Sequence, residues 1–269
     1  MQDELGDRMK IFESAEAGRR LMPLLPVCIR LDGRSFSRYT SKLDKPFDVQ
    51  MSGIMVTVTK LLVDETNASM GYTQSDEISL VLHQPTYESQ VYFDGKIQKI
   101  VSVLAGYAAA IFNEYAVSAL KGKIPDKSAL FDCRVWNVPN EMEAANTLVW
   151  RQKDALRNAV QGAARSVFSH KECQDKNNTE LVEMLKKKGI IFNDYPDFFK
   201  YGTFIRRVKK LVDLTTEQMA KIPEKHRPMG PVERTVIEEV KITDLGTALN
   251  KVETVFCGEE PHYKPEGVK

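Results

Sequence analysis

The order in which the apolar period changes along the first half of the chain restricts the fold more than any other feature. Residues 24–31, LLPVCIRL, form a short apolar run around a proline and predict a strand. Met51, Ile54, Met55, Val58, Leu61 and Leu62 then recur at spacings of three and four, an amphipathic helix closed by Asn67 and Gly71. Residues 71–82 predict two strands around a turn at Gln74 to Glu77, with Ile78, Leu80 and Leu82 alternating along the second. Ile100, Val103, Leu104, Tyr107, Ile111, Phe112 and Tyr115 predict a helix over 97–120, and ALFDCRVWNV (129–138) alternates as a strand. Strand, helix, strand, strand, helix, strand is the split βαβ pattern: an α+β, ferredoxin-like antiparallel sheet with helices on one face. The remainder predicts a helix over 144–169, a short one over 179–188 and strands over 202–210 and 232–240, an α/β extension with a loose polar tail. No Pro-, Gly- or Ser-rich linker separates the parts. The division expected is therefore 1–140 and 141–269, the second packed on the first rather than independent.

This topology makes the first and third strands antiparallel neighbours, so the end of one lies beside the start of the other. Asp32 ends the first, while Asp76 and Glu77 open the third. Two adjacent acids at the mouth of a buried strand repel one another and are costly to desolvate. A solvated turn is the plain reading; a metal site is the sharper one, and the third acid favours it. Magnesium takes hard oxygen ligands and keeps positions for water or phosphate. Two such ions, typically ~4 Å apart, grip both oxygens of a phosphoryl displacement. Gly33 has no Cβ to hold phosphate and metal away. The amides of Arg34, Ser35 and Ser37 are placed to form an anion nest, and Lys45 and Lys99 lie within reach in this topology.

Composition excludes little but is consistent. Apolar residues make up 42% and the net charge is +1, so a polyanionic partner has to be met by a local patch. No uninterrupted run of eighteen apolar residues is present, and the start, MQDELGDRMK, lacks the apolar core of a signal peptide. Cys28, Cys133, Cys173 and Cys257 are scattered without a C-x-x-C pair, which suggests neither zinc nor a disulfide framework and points to a reducing cytoplasm.

RLDGRSFSRYT (30–40), LDKPFD (43–48), TQSDEISLVL (73–82), ALFDCRVWNVP (129–139), LVWRQKDALRN (148–158) and YPDFFKYGTFI (195–205) together resemble the tRNA-histidine guanylyltransferase family and its guanylyltransferase-like relatives. The resemblance implies a palm-type catalytic core and an enzyme that adds nucleotides to RNA 5′ ends in the 3′–5′ direction. It implies that Asp32, the Gly33 carbonyl and Asp76 hold two magnesium ions, with Glu77 supporting them as the third catalytic acid. Gly33, Arg34, Ser35, Phe36, Ser37 and Ser75 would contact the nucleoside triphosphate; Lys45, Asp48 and Lys99 match nucleotide-handling positions. The implied reaction activates a 5′-monophosphate with ATP, lets the 3′-hydroxyl of GTP expel AMP, and removes the added pyrophosphate. Two departures stand out. Ser37 replaces the histidine usual after the turn phenylalanine, and the His-Ile-Asn-Asn-type stretch tied to non-templated guanosine addition reads Ala155-Leu156-Arg157-Asn158-Ala159. The second departure leans toward template-dependent repair of 5′-truncated tRNA.

A tRNA ligand needs cations for its phosphates. Candidates are Arg206, Arg207, Lys209 and Lys210, then residues 225–227 and 186–188, with Arg151 and Asn158 from the motif helix; each cluster reads equally as a solvated strand edge or face. Trp150 on its helix reads as core. Small residues Ala105, Gly106 and Ala108 to Ala110 allow a second subunit to pack closely, and the resemblance implies a homotetramer. A nucleotide cyclase would share the palm but lacks the Gly-Gly-Asp-Glu-Phe turn. A non-enzymatic RNA-binding module would show aromatics on its central strands, where this chain has aliphatics and acids.

Overall fold

The computed structural model describes residues 4–88 and 91–264. Six strands form one antiparallel sheet in the order β4-β1-β3-β2-β5-β6. They are β1 (Val27–Gly33), β2 (Met70–Gln74), β3 (Glu77–Leu82), β4 (Phe131–Asn137), β5 (Thr203–Val212) and β6 (Val232–Val240). The helices begin with α1 (Glu4–Ala17), α2 (Phe36–Tyr39), α3 (Val49–Thr66), α4 (Ile97–Ala119) and α5 (Glu141–Arg165). They continue with α6 (His170–Cys173), α7 (Asn178–Lys187), α8 (Asp197–Tyr201), α9 (Thr216–Ala220) and α10 (Lys251–Phe256). The strand–helix order read from the sequence is present; α1, α2, α6, α8, α9 and α10 are additional.

Alternation along β1 and β3 decides which face each residue serves. Ile29, Leu31, Ile78 and Leu80 pack against Met55, Val58 and Leu62 of α3 and Leu104, Ala108 and Phe112 of α4. Helix α3 starts where Asp48 caps the amides of Gln50 and Met51 and stops at Asn67, which takes the left-handed conformation (φ 54°). Gly71 lets α3 lie close to β2: a Cβ there would meet Val63 at 2.7 Å. By length and composition α4 (23 residues) is apolar enough to cross a membrane, but its inner stripe is sheet core.

The helices are not confined to one face. Cys28, Met70, Tyr72, Val81 and Phe204 pack against Ala144, Ala145, Leu148 and Val149 of α5, and Leu245 and Val255 close this second core. The sequence places small alanines at helical spacing along α5, so the helix seats closely on the sheet. Its later half, Ala159 to Ala164, carries Leu181, Leu185, Phe192 and Phe199 in a third cluster. Sequence periodicity supplies each helix with a face but not the layer it joins.

The segment after β6 is held by one side chain. Gln152, buried, donates from Nε2 to the Ile242 carbonyl (2.8 Å) and accepts the Leu245 amide at Oε1 (2.9 Å). Of the tail expected to be loose, 265–269 lie outside the described residues and the part before them is tied down: Leu249 donates to the His262 carbonyl (2.8 Å), and Arg206 bonds the Gly258 carbonyl (3.0 Å). Replacing Gln152 with Leu strands a buried donor and a buried acceptor, and should cost about 1–3 kcal/mol for each group. Urea unfolding measures this, and an unchanged midpoint would show that the clamp carries no stability.

Candidate active site

Pairing of β1 with β3 sets Asp32 directly opposite Glu77, and pairing with β4 sets it opposite Asp132. Beyond the strand ends the Gly33 amide donates to the Asp76 carbonyl (3.1 Å), fixing the β2–β3 turn against β1. Ser75 takes a positive φ of 54° in that turn, which lets it reverse within two residues. Gly33 is required for packing: a Cβ would strike the Phe36 ring at 2.3 Å.

The carboxylates divide by their partners. Glu77 is held by a fork from α5, Arg151 Nε to Oε1 (2.5 Å) and Nη2 to Oε2 (2.6 Å). Arg151 also reaches Asp154 (2.9 Å), which Arg157 bonds in turn. Asp32 and Asp76 make no ion pair among the described residues. The Asp76 carboxyl is pushed up to about 6, first by burial and then by the negative Asp32. Burial also raises Asp32, with Asp132 adding to the rise and Arg30, Arg134 and Arg151 opposing it. Among the described residues no group of three His, Cys, Asp or Glu side chains is set to cage a metal, and Glu77 is turned to Arg151. The two remaining carboxylates are a sparse, hard-oxygen donor set that suits an ion keeping water or phosphate as its other ligands.

These acids line a cleft of about 320 Å³. Its walls are Pro46, Phe47, Asp48 and Met51 at the start of α3, Gln74 to Glu77 in the turn, Arg151, Asn158 and Gly162 on α5, and Phe198 and Phe199 on α8. Phe47 packs against Phe198 (5.2 Å between centroids) and Phe199 (5.0 Å), so one wall is aromatic.

The tRNAHis guanylyltransferase family model matches residues 6–139. An uncharacterized protein of Acanthamoeba polyphaga mimivirus is 32% identical over 232 residues, 77% of this chain and 78% of that protein. A tRNA(His) guanylyltransferase of Neurospora crassa is 26% identical over 228 residues, 79% of this chain and 75% of its own. A bacterial tRNA(His) guanylyltransferase-like protein solved with ATP superposes with a TM-score of 0.70 at 34% identity, covering 76% of this chain and 87% of that one. The chain belongs to the tRNAHis guanylyltransferase family. A bacterial member solved with GTP gives a TM-score of 0.68 at 28% identity, over 88% of this chain and 91% of that one.

Of the residues that the family resemblance marks, Asp32, Asp48, Ser75, Asp76, Glu77, Arg151 and Asn158 line the cleft. Asp48 is spent as the cap of α3 and pairs with Lys123 (3.4 Å). Lys45 is adjacent, its ammonium on the Thr40 carbonyl (3.3 Å). Several expectations are corrected. Lys99 is at the opposite end of the sheet, roughly 20 Å away by strand rise: the chain leaves β3 at its far end, so α4 starts there, and Lys99 lies over Phe93 (4.8 Å). The Phe36 ring is buried against Phe112 and Phe131, so it offers a ligand no side-chain contact. The Arg34 amide is used by the Leu130 carbonyl (2.8 Å) and cannot join an anion nest. Ser35 and Ser37 are exposed.

Most of the expected RNA contacts have partners within the protein. Arg151 is engaged by Glu77. Arg206 is held by Glu238 (2.8 Å) and Glu260 (2.6 Å). Lys209 pairs with Glu233 (3.0 Å), Lys210 with Glu238 and Arg207 with Asn67. In the hairpin register only Arg206 of these stands directly opposite an acid, Glu238; Lys209 and Lys210 reach Glu233 and Glu238 diagonally along β6. Trp150 is not core: it is 52% exposed, with the Arg30 guanidinium 5.5 Å and that of Arg151 4.6 Å from its ring. Sequence reasoning also passed over Asp132, which strand pairing alone places beside Asp32, and the aromatic wall of Phe47, Phe198 and Phe199.

This electrostatic arrangement can be tested in two ways. Between the ordinary aspartate range and about 6, the unfolded chain ionises Asp76 while the folded protein keeps its proton, so cation-free protein loses stability as pH rises through that window. Asp76→Asn should remove the loss, stabilising the protein near pH 8 in chelator by about 3 kcal/mol and converging with the parent near pH 4. Thermal melts across pH check this; a pH-independent difference would contradict it. Arg151→Met should leave Glu77 buried without its partner and cost about 3–5 kcal/mol, whereas Arg157→Met, at the exposed end of the chain of ion pairs, should shift the denaturation midpoint little.

Proposed function

We propose that this chain is a tRNA 5′-end nucleotidyltransferase that adds guanosine in the 3′–5′ direction, with ATP and GTP as its nucleotide substrates. The observation that carries the reading is the pair Asp32, at the end of β1, and Asp76, in the turn bonded to Gly33, both lining a cleft large enough for a nucleotide. Residues 1–140 act as a ferredoxin-like palm, and residues 141–269 form an extension packed on it. The strand order β4-β1-β3-β2 with α3 and α4 on one face supports the palm description.

The reaction is phosphoryl transfer, in which positioning and charge neutralisation supply most of the catalysis. A 5′-monophosphate oxygen attacks the α-phosphorus of ATP and pyrophosphate leaves. The 3′-hydroxyl of GTP then attacks the RNA phosphorus of the adenylylated end and AMP leaves. Hydrolysis finally removes the added pyrophosphate. Asp32, Asp76 and the Gly33 carbonyl are the groups that would hold magnesium, which, when bound, supplies neutralisation of phosphate charge. Asp32 and Asp76 make no ion pair among the described residues, and the Gly33–Asp76 backbone bond fixes the turn that carries Asp76 against β1. Arg151 occupies both carboxylate oxygens of Glu77, so Glu77 buttresses the turn. Phe47 and Phe198 offer flat apolar surface for a base, and Ser75 and the exposed residues Ser35 and Ser37 are available to phosphate.

Template-dependent repair is the finer reading. From α5 only Arg151, Asn158 and Gly162 reach the cleft, and Ala155 and Ala159 are buried in packing, so this helix presents one neutral polar group to the substrate. Four free cysteines among the described residues fit a cytoplasmic setting. A homo-oligomer fits the outer side of α4, where Val103, Tyr115 and Val117 are exposed and Gly106 has open space above it.

Incubation with magnesium, labelled GTP, ATP and 5′-truncated or full-length tRNA tests the reading. Label should appear at the RNA 5′ end, and chelator should abolish it. Asp32→Ala and Asp76→Ala should each lower the rate at least about 10²-fold while the protein remains folded by circular dichroism. A labelled cyclic nucleotide, or near-parental transfer by Asp76→Ala, would overturn it.

A further inference from the structure

At the end of the sheet that holds the acids, two loops carry positive charge that the reaction above does not use. Residues 34–48 contribute Arg34, Arg38, Lys42 and Lys45, and residues 121–130 contribute Lys121, Lys123 and Lys127. Against these seven cations stand three acids, Asp44, Asp48 and Asp126, in a chain whose whole excess is +1. The loops are joined: the Arg34 amide bonds the Leu130 carbonyl (2.8 Å), and Lys123 reaches Asp44 (3.0 Å) and Asp48 (3.4 Å). Local packing turns the remaining charge outward. Phe36, Tyr39 and Leu43 are buried, which leaves Arg38 and Lys42 exposed beside them. Lys121 and Lys127 flank Lys123 and are exposed as well.

Among the described residues, Arg38, Lys42, Lys121 and Lys127 make no ion pair, in contrast to the β5–β6 hairpin, where Arg206, Lys209 and Lys210 are neutralised within the protein. None of the four lines the cleft, yet their loop runs directly into its wall at Pro46, Phe47 and Asp48. Charge spread over two exposed loops fits a polymer of phosphates better than a single triphosphate. With Phe36 and Tyr39 buried, contact would be to the backbone and independent of sequence. We propose that Arg38, Lys42, Lys121 and Lys127 form a phosphate track that holds the RNA strand as its 5′ end enters the cleft. The choice of RNA as the polyanion rests on the transferase reading.

The test titrates a fluorescent 5′-monophosphorylated RNA hairpin against the full chain and the fourfold variant R38A/K42A/K121A/K127A over a range of salt. The variant should bind at least about tenfold more weakly at low salt. Its slope of log K against log salt should fall by about 3, near 0.7–0.9 for each phosphate that is no longer neutralised. ATP affinity and the unfolding midpoint should stay at the parental value. RNA affinity within about twofold of the parent, with the slope unchanged, would overturn the track, as would a parent that binds no hairpin. If the fourfold variant fails to fold, R38A/K42A and K121A/K127A, each confined to one loop, carry the same measurement with half the slope change. Guanosine transfer by the parent is followed in parallel. Transfer with undiminished variant binding discards the track and keeps the transferase; weakened variant binding without transfer by the parent does the reverse.

Discussion

Antiparallel pairing of β1 with β3 sets Asp32 across from Glu77, and a single backbone bond from Gly33 to the Asp76 carbonyl holds the turn beyond them. Three acids are thereby concentrated where water is scarce, a state that repulsion and desolvation both oppose. The protein resolves the conflict unequally. Arg151 satisfies Glu77 with two charge-assisted bonds, and nothing comparable is given to Asp32 or Asp76. What remains is a site with an unmet demand for positive charge, and that demand, more than any single residue, defines the chemistry the cleft can support.

The cation that makes this division comes from the second half of the chain. Helix α5 seats on the sheet through alanines on one stripe and delivers Arg151 and Asn158 from another, while Phe198 and Phe199 on α8 close the wall. Strand β5 continues the sheet beside β2. Core and site are therefore built from the same elements, and the packing of α5 decides the electrostatics of a turn that it does not touch in sequence.

The opening strand–helix order and the convergence of Asp32 with Asp76 and Glu77 are legible in the sequence because both follow from local periodicity plus a short list of permitted topologies. The position of Lys99 is not, because its distance from the site depends on which end of the sheet α4 starts from, which periodicity does not state. Nor is the neutralisation of the hairpin cations: Glu233 and Glu238 are more than twenty residues from their partners, so their pairing appears only once the strands are in register. Asp132 is within reach of the same reasoning that finds the other acids: an alternating strand placed at the sheet edge next to β1 has to set one residue against Asp32. Trp150 shows the limit of a residue-type rule, since arginines over its ring give it partners at the surface.

The participation of β5 has a consequence for any shorter piece of this chain. A fragment ending near residue 139 would keep every acid and lose the neighbour of β2, baring a row of backbone donors and acceptors along one margin and an apolar face that includes Met70, Tyr72 and Val81. Such a margin templates addition of foreign strands. The fragment would carry Asp32, Asp76 and Glu77 while tending toward self-association through its sheet, so the shortest workable piece is set by solubility of the sheet as much as by the residues at its floor.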